Sequence, residues 1–365
     1  MNYFSFTFFK DNIYFLMYNM YKSIRFTKYP TVIQLPILSK CNYKCVMCDV
    51  PGMDPRGDFS AEELKSYLSD DIFKRVKAVG VNGGEPFMLA NIEEYILAVL
   101  TLKSLRSIHI ITNSSYPDKI HEKLLIIYRI CNQKGVKVNV SLSIDGFGVI
   151  HDKIRGVDGA FEKFEQVRKG LEKSRHYDSI DYSCTVSRDN VQYLSELDMF
   201  AKHINIPIRY RLAIDNKRIN NHDKFEDFSV TCNNRFLMIA REFFYKKMFD
   251  TLNVRDMFKY WSIFEFLNND QKKRHLGCSW KNDGVTLDPK GNLYYCATRS
   301  EKIGSLKESK GQEIYFRKNN LNYRKSIVEN ECNTCIHDYA GGASITSLFS
   351  FYRFFVMKKF WHRGF

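Results

Sequence analysis

The chain has 365 residues, of which 44% are hydrophobic and 26% are charged, the balance of an ordinary globular protein. Its formal net charge is +14, but Lys and Arg are spread along the whole chain, which favours a solvated basic surface over a nucleic-acid groove. We therefore expect no nucleic-acid partner, whereas anionic substrates and anionic lipid stay open.

No segment predicts export or a membrane span. Residues 1–25 are aromatic but are interrupted by Lys10, Asp11 and Lys22, so they lack the apolar stretch of a signal peptide. No uninterrupted apolar run reaches the ~18 residues that cross a bilayer. We therefore expect a cytoplasmic protein, in which ten cysteines stay reduced and favour metal binding or catalysis over disulfides.

Six short β-type runs alternate with helical patterns between residues 31 and 215. The runs lie at 31–38, 76–81, 107–112, 136–144, 180–186 and 206–214. Ser60 and Glu63 form a capping-box signature after the first run, and Asn190 is a candidate N-cap after the fifth. Strands that alternate with helices predict an α/β fold with a parallel sheet or barrel. Six repeats favour a partial (β/α)6 TIM-like barrel over a closed eight-stranded one.

The pattern divides the chain into five parts. These are an aromatic and basic arm (1–30), the α/β core (31–215), a helical linker (216–275), a small cysteine-containing domain with a hairpin turn at 288–292 (276–340), and an aromatic and basic tail (341–365). The tail carries an apolar stripe of Leu348, Phe349, Phe351, Phe354, Phe355 and Trp361. Packing of this stripe on the barrel or the N-terminal arm is favoured, and peripheral membrane contact stays open.

Cys41, Cys45 and Cys48 follow the first predicted strand closely. Thiolates hold iron–sulfur clusters, and four of them would saturate a four-iron cluster. Three leave one iron open to a chelating ligand. The alternative is a structural zinc site with a distant fourth ligand, although zinc sites more often use two closely spaced pairs.

The Cys-x3-Cys-x2-Cys spacing resembles the signature of the radical S-adenosylmethionine (SAM) superfamily. The resemblance implies that SAM chelates the open iron of a 4Fe-4S cluster, and that reduction of the cluster cleaves SAM to a 5′-deoxyadenosyl radical. This radical removes a hydrogen atom from the substrate. Met47 stands where the family commonly has an aromatic residue, which still places an apolar group beside the cluster. A reductant such as flavodoxin or ferredoxin is the expected electron source.

Other segments resemble the family's SAM-binding motifs. The resemblance implies cofactor contacts for Gly83, Gly84, Glu85, Pro86, Asn113, Ser143, Asp145 and Arg155. Independently of the resemblance, Cys41, Glu85, Asn113, Ser143 and Asp145 lie at or just beyond the carboxyl ends of predicted strands. Active sites of parallel α/β barrels form at these ends.

A second group of cysteines follows the linker and consists of Cys278, Cys296, Cys332 and Cys335. Four thiolates can ligate one cluster or one zinc ion, and spacing alone does not decide between them. The layout resembles the Twitch form of the SPASM extension found in radical SAM enzymes. That resemblance implies one auxiliary 4Fe-4S cluster held by all four cysteines, since none follows Cys335 as in the full SPASM form.

Cys184, on the fifth predicted strand, is the catalytic candidate outside these two groups. A thiol that faces the barrel interior could donate a hydrogen atom to a substrate radical, as in some related epimerases. Burial as a small hydrophobe is the commoner use of cysteine, and it is the expected one for Cys131.

These features predict a radical SAM enzyme. Oxidation of a small polar, sugar-like substrate is favoured, and modification of a peptide is the alternative. The rival from another class is a non-catalytic zinc-stabilised or electron-carrying protein. A third alternative, tRNA modification, predicts salt-sensitive RNA binding.

Overall fold

The computed structural model describes residues 17, 29–251, 253–269, 273–337 and 341–361, with side chains as far as residue 356. The predicted arm, 1–30, lies almost wholly outside these residues. The strands are β1 (Val32–Pro36), β2 (Ala78–Asn82), β3 (Ser107–Thr112), β4 (Lys137–Ser143), β5 (Ser179–Val186), β6 (Ile208–Leu212), β7 (Gly284–Leu287), β8 (Asn292–Tyr294) and β9 (Gly304–Ser305). The α-helices are α1 (Ala61–Leu68), α2 (Ile92–Val99), α3 (Pro117–Gln133), α4 (Val149–Arg155), α5 (Ala160–Ser174), α6 (Leu194–His203), α7 (Phe225–Phe228), α8 (Asn234–Lys247), α9 (Val254–Asn268), α10 (Gly311–Phe316), α11 (Lys318–Asn330) and α12 (Ile345–Trp361).

The strands form one sheet in the order β6-β5-β4-β3-β2-β1-β7-β8-β9. Strands β1 to β6 are parallel to their neighbours, as the alternation of strands and helices predicts. Each begins and ends within two residues of its predicted bounds. Because β6 lies at one edge of the sheet and does not pair with β1, this six-stranded part is open. The expected α/β architecture with a parallel sheet is confirmed.

The segment predicted as a small domain, 276–340, shares this sheet with the core. Strand β7 is parallel to β1, with residues 284–286 opposite residues 32–34, and β8 and β9 continue antiparallel. The turn predicted at 288–292 joins β7 to β8, and the Asp288 carboxylate accepts two backbone hydrogen bonds within it. The second cysteine-bearing segment is therefore bonded directly to the core.

Each core strand turns one face to the helices and the other to the interior, because successive side chains point to opposite faces of a strand. On β3, Ile108 and Ile110 are fully buried in the hydrophobic core, whereas His109 and Ile111 border an interior cavity. The outer faces thus supply the apolar core, and the inner faces are left to carry polar groups.

The predicted capping box is present at the start of α1. The Ser60 hydroxyl accepts a hydrogen bond from the Glu63 N–H at 3.1 Å, and the Glu63 carboxylate accepts one from the Ser60 N–H at 2.8 Å. Asn190 stands at the N-cap position of the short 3-10 helix Val191–Tyr193 that leads into α6, but its side chain makes no capping hydrogen bond. Its side chain donates to the carbonyls of Asp145 and Thr185, both at 2.9 Å, because the loop after β5 folds back over the end of β4.

The tail helix α12 packs on the helical linker. The Phe351 ring lies 5.3 Å from the Phe258 ring and 5.4 Å from that of Trp261, and it is 2% exposed. Phe355 contacts Phe249 in the same way. Part of the tail stripe therefore packs on the protein as predicted, but on the linker helices rather than on the barrel or the arm, and Phe349 is 68% exposed. No helix in the described part of the chain is long and apolar enough to cross a membrane.

Candidate active site

The carboxyl ends of the core strands border a cavity of about 630 Å³. The sequence-predicted residues that the structure brings together in its lining are Cys41, Cys45, Cys48, Gly83, Gly84, Asn113, Ser143, Asp145 and Arg155. Three other predicted site residues, Glu85, Pro86 and Cys184, are buried and do not belong to this lining. The predicted strand ends thus identify most residues around the cavity, but they do not determine which way every side chain points.

The loop that carries the first three cysteines is fixed by backbone hydrogen bonds on one side. The Gly84 N–H donates to the Leu38 carbonyl at 2.8 Å, and the Glu85 N–H donates to the Lys40 carbonyl at 3.1 Å. A Cβ atom at Gly84 would lie only 1.7 Å from the Lys40 carbonyl oxygen. Glycine is therefore required here for close backbone packing against the cysteine loop.

The end of α4 holds the other side of this loop. The N–H groups of Lys44 and Val46 donate to the carbonyls of Arg155 and Ile154, each at 3.0 Å. Gly156 ends the helix in the left-handed region at φ 65°, and a Cβ there would approach the Lys44 carbonyl to 2.5 Å. The loop is thus clamped between the turn after β2 and the end of α4.

Glu85 is fully buried, and its carboxylate bonds to other groups of the protein rather than facing the cavity. Its carboxylate accepts hydrogen bonds from the Thr112 hydroxyl at 2.8 Å, the Asn113 N–H at 2.6 Å and the Phe87 N–H at 3.1 Å. Burial raises its pKa to about 7, although the three donors oppose that rise. In this arrangement Glu85 ties the end of β2 to the end of β3.

Asn113 links the end of β3 to the cysteine loop. Its side-chain amide lies 3.7 Å from the Cys41 sulfur and 3.2 Å from the Asn42 carbonyl oxygen, and it donates toward both. Its own carbonyl oxygen accepts from the Ser115 N–H at 2.9 Å. These contacts orient the Asn113 amide toward the first cysteine.

Arg155 places a fixed cation beside the second cysteine. One guanidinium nitrogen is 3.7 Å from the Cys45 sulfur, and another pairs with the Asp145 carboxylate at 2.7 Å. The other Asp145 oxygen accepts from the Thr185 N–H at 2.7 Å. Burial alone would lower the pKa of Arg155, but Asp145 and Cys45 raise it above its usual value. A positive N–H donor at a sulfur favours the thiolate that metal ligation requires.

The donor set of this loop fits an iron–sulfur cluster. As free thiols, Cys41, Cys45 and Cys48 all have raised pKa values because they are buried, and that of Cys48 rises to about 11. Soft thiolates are the ligands of such clusters, and a metal holds them deprotonated. Within the ranges that the structure describes, no three Cys, His, Asp or Glu side chains converge as ligands of a metal ion.

The second cysteine group lies around its own small cavity. Cys278, Cys296, Cys332 and Cys335 all border it. Burial raises the pKa of Cys278 and, to about 12, that of Cys332. Four thiols around one cavity match the number of ligands that a four-iron cluster or a zinc ion takes.

Arg274 forms hydrogen bonds with both segments that carry the second cysteine group. Its guanidinium donates to the carbonyls of Cys335 at 2.6 Å, His337 at 2.7 Å and Gly277 at 3.1 Å. The Gly277 carbonyl directly precedes Cys278, and the other two carbonyls belong to the last cysteine and to a residue two positions after it. One half-buried cation therefore joins the two ends of the module, a role that no local sequence pattern indicates.

The cavities that the two cysteine groups border share part of their lining. Trp280 and Thr298 border both the large cavity and the small one. Each lies two residues after a cysteine of the second group, Cys278 and Cys296 respectively. The first group therefore opens into the large cavity, and the second lies directly behind its wall.

Cys184 faces the wrong way for a hydrogen donor, which corrects the prediction. On β5 its neighbour Thr185 borders the cavity, whereas Cys184 itself is fully buried and pairs in register with Tyr210, which is also buried. Both belong to the outer, helix-covered face of the sheet. Cys131 is fully buried in the core, as expected.

Arginines on the last core strand were missed. Strand β6 places Arg209 and Arg211 in the cavity lining, with Tyr210 on the opposite face. The alternation Ile-Arg-Tyr-Arg-Leu carries this signal, because residues two apart share a face of a strand. The even spread of basic residues along the chain had hidden it.

A family model supports the class that this fold and site define. Residues 35–188 match the model of the radical SAM superfamily, and this range contains the first cysteine group and every residue predicted to contact SAM. The chain therefore contains a segment that matches the radical SAM superfamily domain. This match implies SAM as cofactor and a 4Fe-4S cluster for that segment.

Curated relatives match part of the chain. A GTP 3′,8-cyclase of Clostridium botulinum is 26% identical over 163 residues, which cover 42% of this chain and 43% of the relative. A Fe-coproporphyrin III synthase of Methanosarcina barkeri is 31% identical over 125 residues, covering 34% and 29%. The chain thus spans less than half the length of these relatives.

The solved structures resemble the fold over a longer range. The structure titled native anSMEcpe with bound AdoMet and Cp18Cys peptide has a TM-score of 0.56 at 17% identity, covering 81% of this chain and 82% of that one. Streptococcus suis SuiB bound to S-adenosylmethionine has a TM-score of 0.54 at 15% identity, covering 81% and 68%. At these identities the likeness concerns the fold.

Proposed function

We propose that this chain reductively cleaves SAM and oxidises a small polar, sugar-like substrate, with an auxiliary 4Fe-4S cluster at the second cysteine group. The observation that carries the proposal is the shared wall between the two cysteine groups. A substrate in the large cavity would lie between the group that opens into it and the group behind Trp280 and Thr298.

Different cysteines of the chain would hold the two proposed clusters. Cys41, Cys45 and Cys48 would hold the first cluster, and the second cysteine group would hold the auxiliary one. When bound, SAM and the two clusters would together supply the removal of one hydrogen atom, one electron and one proton from a carbinol of the substrate, which leaves a carbonyl, with methionine and 5′-deoxyadenosine as the products of SAM.

SAM would lie against the ends of β2 to β4. Gly83 and Gly84 border the cavity there, and Asn113 and Ser143 offer polar groups from the lining. Arg155 and Asp145 form a neutral pair beside the Cys45 sulfur. Glu85 would act indirectly by positioning the Asn113 backbone. The protein's part is then to orient SAM and substrate and to exclude water.

A small substrate agrees with the cavity. Its volume of about 630 Å³ lies within the range of small-molecule sites. The GTP named in the curated relatives is a polar molecule that contains a sugar. A peptide is the second candidate, because structural neighbours are titled as complexes with the Cp18Cys peptide and with the precursor peptide SuiA.

Anaerobic reconstitution of the full chain tests the proposal. We expect about eight irons and as many sulfides per chain, as two four-iron clusters require, and release of 5′-deoxyadenosine when dithionite and SAM are added. Cys45→Ala should lose about half of the iron together with SAM cleavage. The matched variant Cys296→Ala should lose a similar share of iron yet still cleave SAM.

Two results would contradict the proposal. Bound zinc without SAM cleavage in the wild type would identify the non-catalytic rival. Unchanged iron in Cys296→Ala would remove the auxiliary cluster and, with it, the proposed electron acceptor.

A further inference from the structure

The arginines that border the large cavity differ in whether a group of the protein engages their positive charge. Four of them border it: Arg155, Arg209, Arg211 and Arg218. Arg155 pairs with Asp145 at 2.7 Å, and Arg209 pairs with Asp181 at 2.7 Å. Arg218 has contacts of its own and acts electrostatically on Cys48. Three of the four cations are therefore engaged by groups of the protein.

Arg211 is the exception among the described residues. Its guanidinium donates to the Thr185 hydroxyl at 3.3 Å, and no carboxylate pairs with it in the part of the chain that the structure describes. The side chain is half-buried, and a guanidinium stays charged at any physiological pH. A charge removed from water without a partner is unfavourable, so the cavity has a place for an anion at this point.

The strand order separates Arg211 from the groups expected to bind SAM. Arg211 lies on β6, at one edge of the sheet, whereas the SAM-binding residues follow β2, β3 and β4. Thr185, its contact, is on the neighbouring β5. The β5–β6 side of the cavity is thus the side left to a substrate.

We infer that the substrate carries a phosphate or carboxylate group that binds Arg211. This inference rests on the proposed function of the same cavity and adds the substrate class, a small anionic molecule. The planar guanidinium donates two parallel hydrogen bonds to either group, which makes it the usual residue for such recognition. Thr185 fixes the guanidinium from the side, so that its free N–H groups are directed for binding.

Calorimetric titration of the anaerobically reconstituted full chain tests the inference. Pyrophosphate and succinate serve as probes for the two anion types, each with and without saturating SAM. We expect one of them to bind the SAM-loaded wild type at low ionic strength. Arg211→Gln should weaken that binding by about tenfold or more, the loss typical of a hydrogen bond to a charged group, whereas Arg211→Lys should retain part of it.

Matched variants separate this effect from net charge and from misfolding. Arg353→Gln removes one positive charge from α12, outside the cavity lining, and should leave binding unchanged. If Arg211→Gln does not fold, Arg211→Met provides the same loss of charge with an apolar stem.

Three results would overturn the inference. The first is that the wild type binds neither probe, and the second is that Arg211→Gln binds the probe as tightly as Arg353→Gln does. The third is that SAM abolishes binding of the probe. The last would mean that Arg211 serves the cofactor. SAM cleavage is measured on the same samples. Intact cleavage without anion binding refutes only this inference, whereas loss of cleavage in the wild type refutes the proposed function.

Discussion

Gly84 shows how a single missing side chain shapes the site. Its backbone lies so close to the Lys40 carbonyl that a Cβ would stand 1.7 Å from the oxygen. The glycine pair therefore has a structural role in seating the cysteine loop, beside the role in SAM binding that we propose for it.

Gly84→Ala should displace the cysteine loop. Overlap with backbone atoms costs about 1–3 kcal/mol of folding stability or more, and the first cluster should be lost while the second remains. Iron analysis and thermal unfolding would measure both effects. Gly52→Ala is the control, since nothing lies within 4 Å of the Cβ that alanine would add there, and it should stay within about 0.5 kcal/mol of the wild type. Full iron content in Gly84→Ala would contradict the assigned packing.

The sequence was informative about residue positions and less so about directions. Cys41, Asn113 and Ser143 could be placed because strand ends follow from local hydrophobic patterns. The direction of Cys184 is also indicated by the sequence, because Ile180, Tyr182 and Val186 share its face of β5 and polar residues occupy the other face. The prediction for Cys184 overlooked this alternation. The contacts of Glu85 depend on donors that follow β3, and local sequence carries no sign of them. The missing counter-charge of Arg211 likewise appears only when β5 and β6 lie side by side.

At the scale of elements, α12 behaves as part of the core. Phe351 packs among the rings of Phe258 and Trp261 on α9 and is 2% exposed. Phe349, two positions earlier, is 68% exposed. The helix therefore has one face that stabilises the linker helices and another that contributes little to folding.

Phe351→Ala and Phe349→Ala form a matched pair that tests this division. Truncation of a buried phenylalanine costs about 3–5 kcal/mol, so Phe351→Ala should lower the midpoint of urea unfolding substantially. Phe349→Ala should change stability by less than about 0.5 kcal/mol, as surface substitutions do. Equal losses in the two variants would show that α12 does not pack as described.

The presence of helices in the core and in the linker could be predicted from the sequence, because apolar periodicity and the Ser60 capping box are local signals. The pairing of β7 with β1 was not foreseeable. It joins residues 32–34 to 284–286, and no local pattern encodes a contact over such a sequence distance. The boundary drawn at 276 therefore separates stretches of sequence rather than separate sheets.

At the scale of the whole molecule, ionic contacts join the core to the linker. The Asp198 carboxylate on α6 contacts the ammonium groups of Lys247 on α8 and, at 3.0 Å, of Lys202. It also accepts from the Tyr210 hydroxyl at 3.1 Å. Burial by itself would raise the pKa of Asp198, but the two lysines outweigh burial and lower it.

This lowered pKa predicts a definite dependence of stability on pH. A carboxyl whose pKa is lower in the folded state stabilises the fold above its unfolded pKa of about 4. That contribution is lost as pH falls through the folded-state pKa. Asp198→Asn should therefore be about 1–3 kcal/mol less stable than wild type at pH 7, and the difference should shrink below about pH 4.

Urea unfolding at several pH values measures this effect. Asp250→Asn is the control, because its carboxylate contacts Lys202 at 2.9 Å but is more exposed, and it should cost less than about 1 kcal/mol. A difference between Asp198→Asn and wild type that stays constant at all pH values would exclude the ionic explanation.

The position of β7 beside β1 also matters while the chain is being made. Strand β1, from which the first cysteine loop emerges, gains its second neighbour only when residues 284–286 have left the ribosome. Until then β1 is an edge strand whose backbone groups lack partners on one side, and contacts between such distant residues form slowly. The nascent cysteine loop therefore stays on a half-paired strand through much of translation, until β7 has emerged and docked.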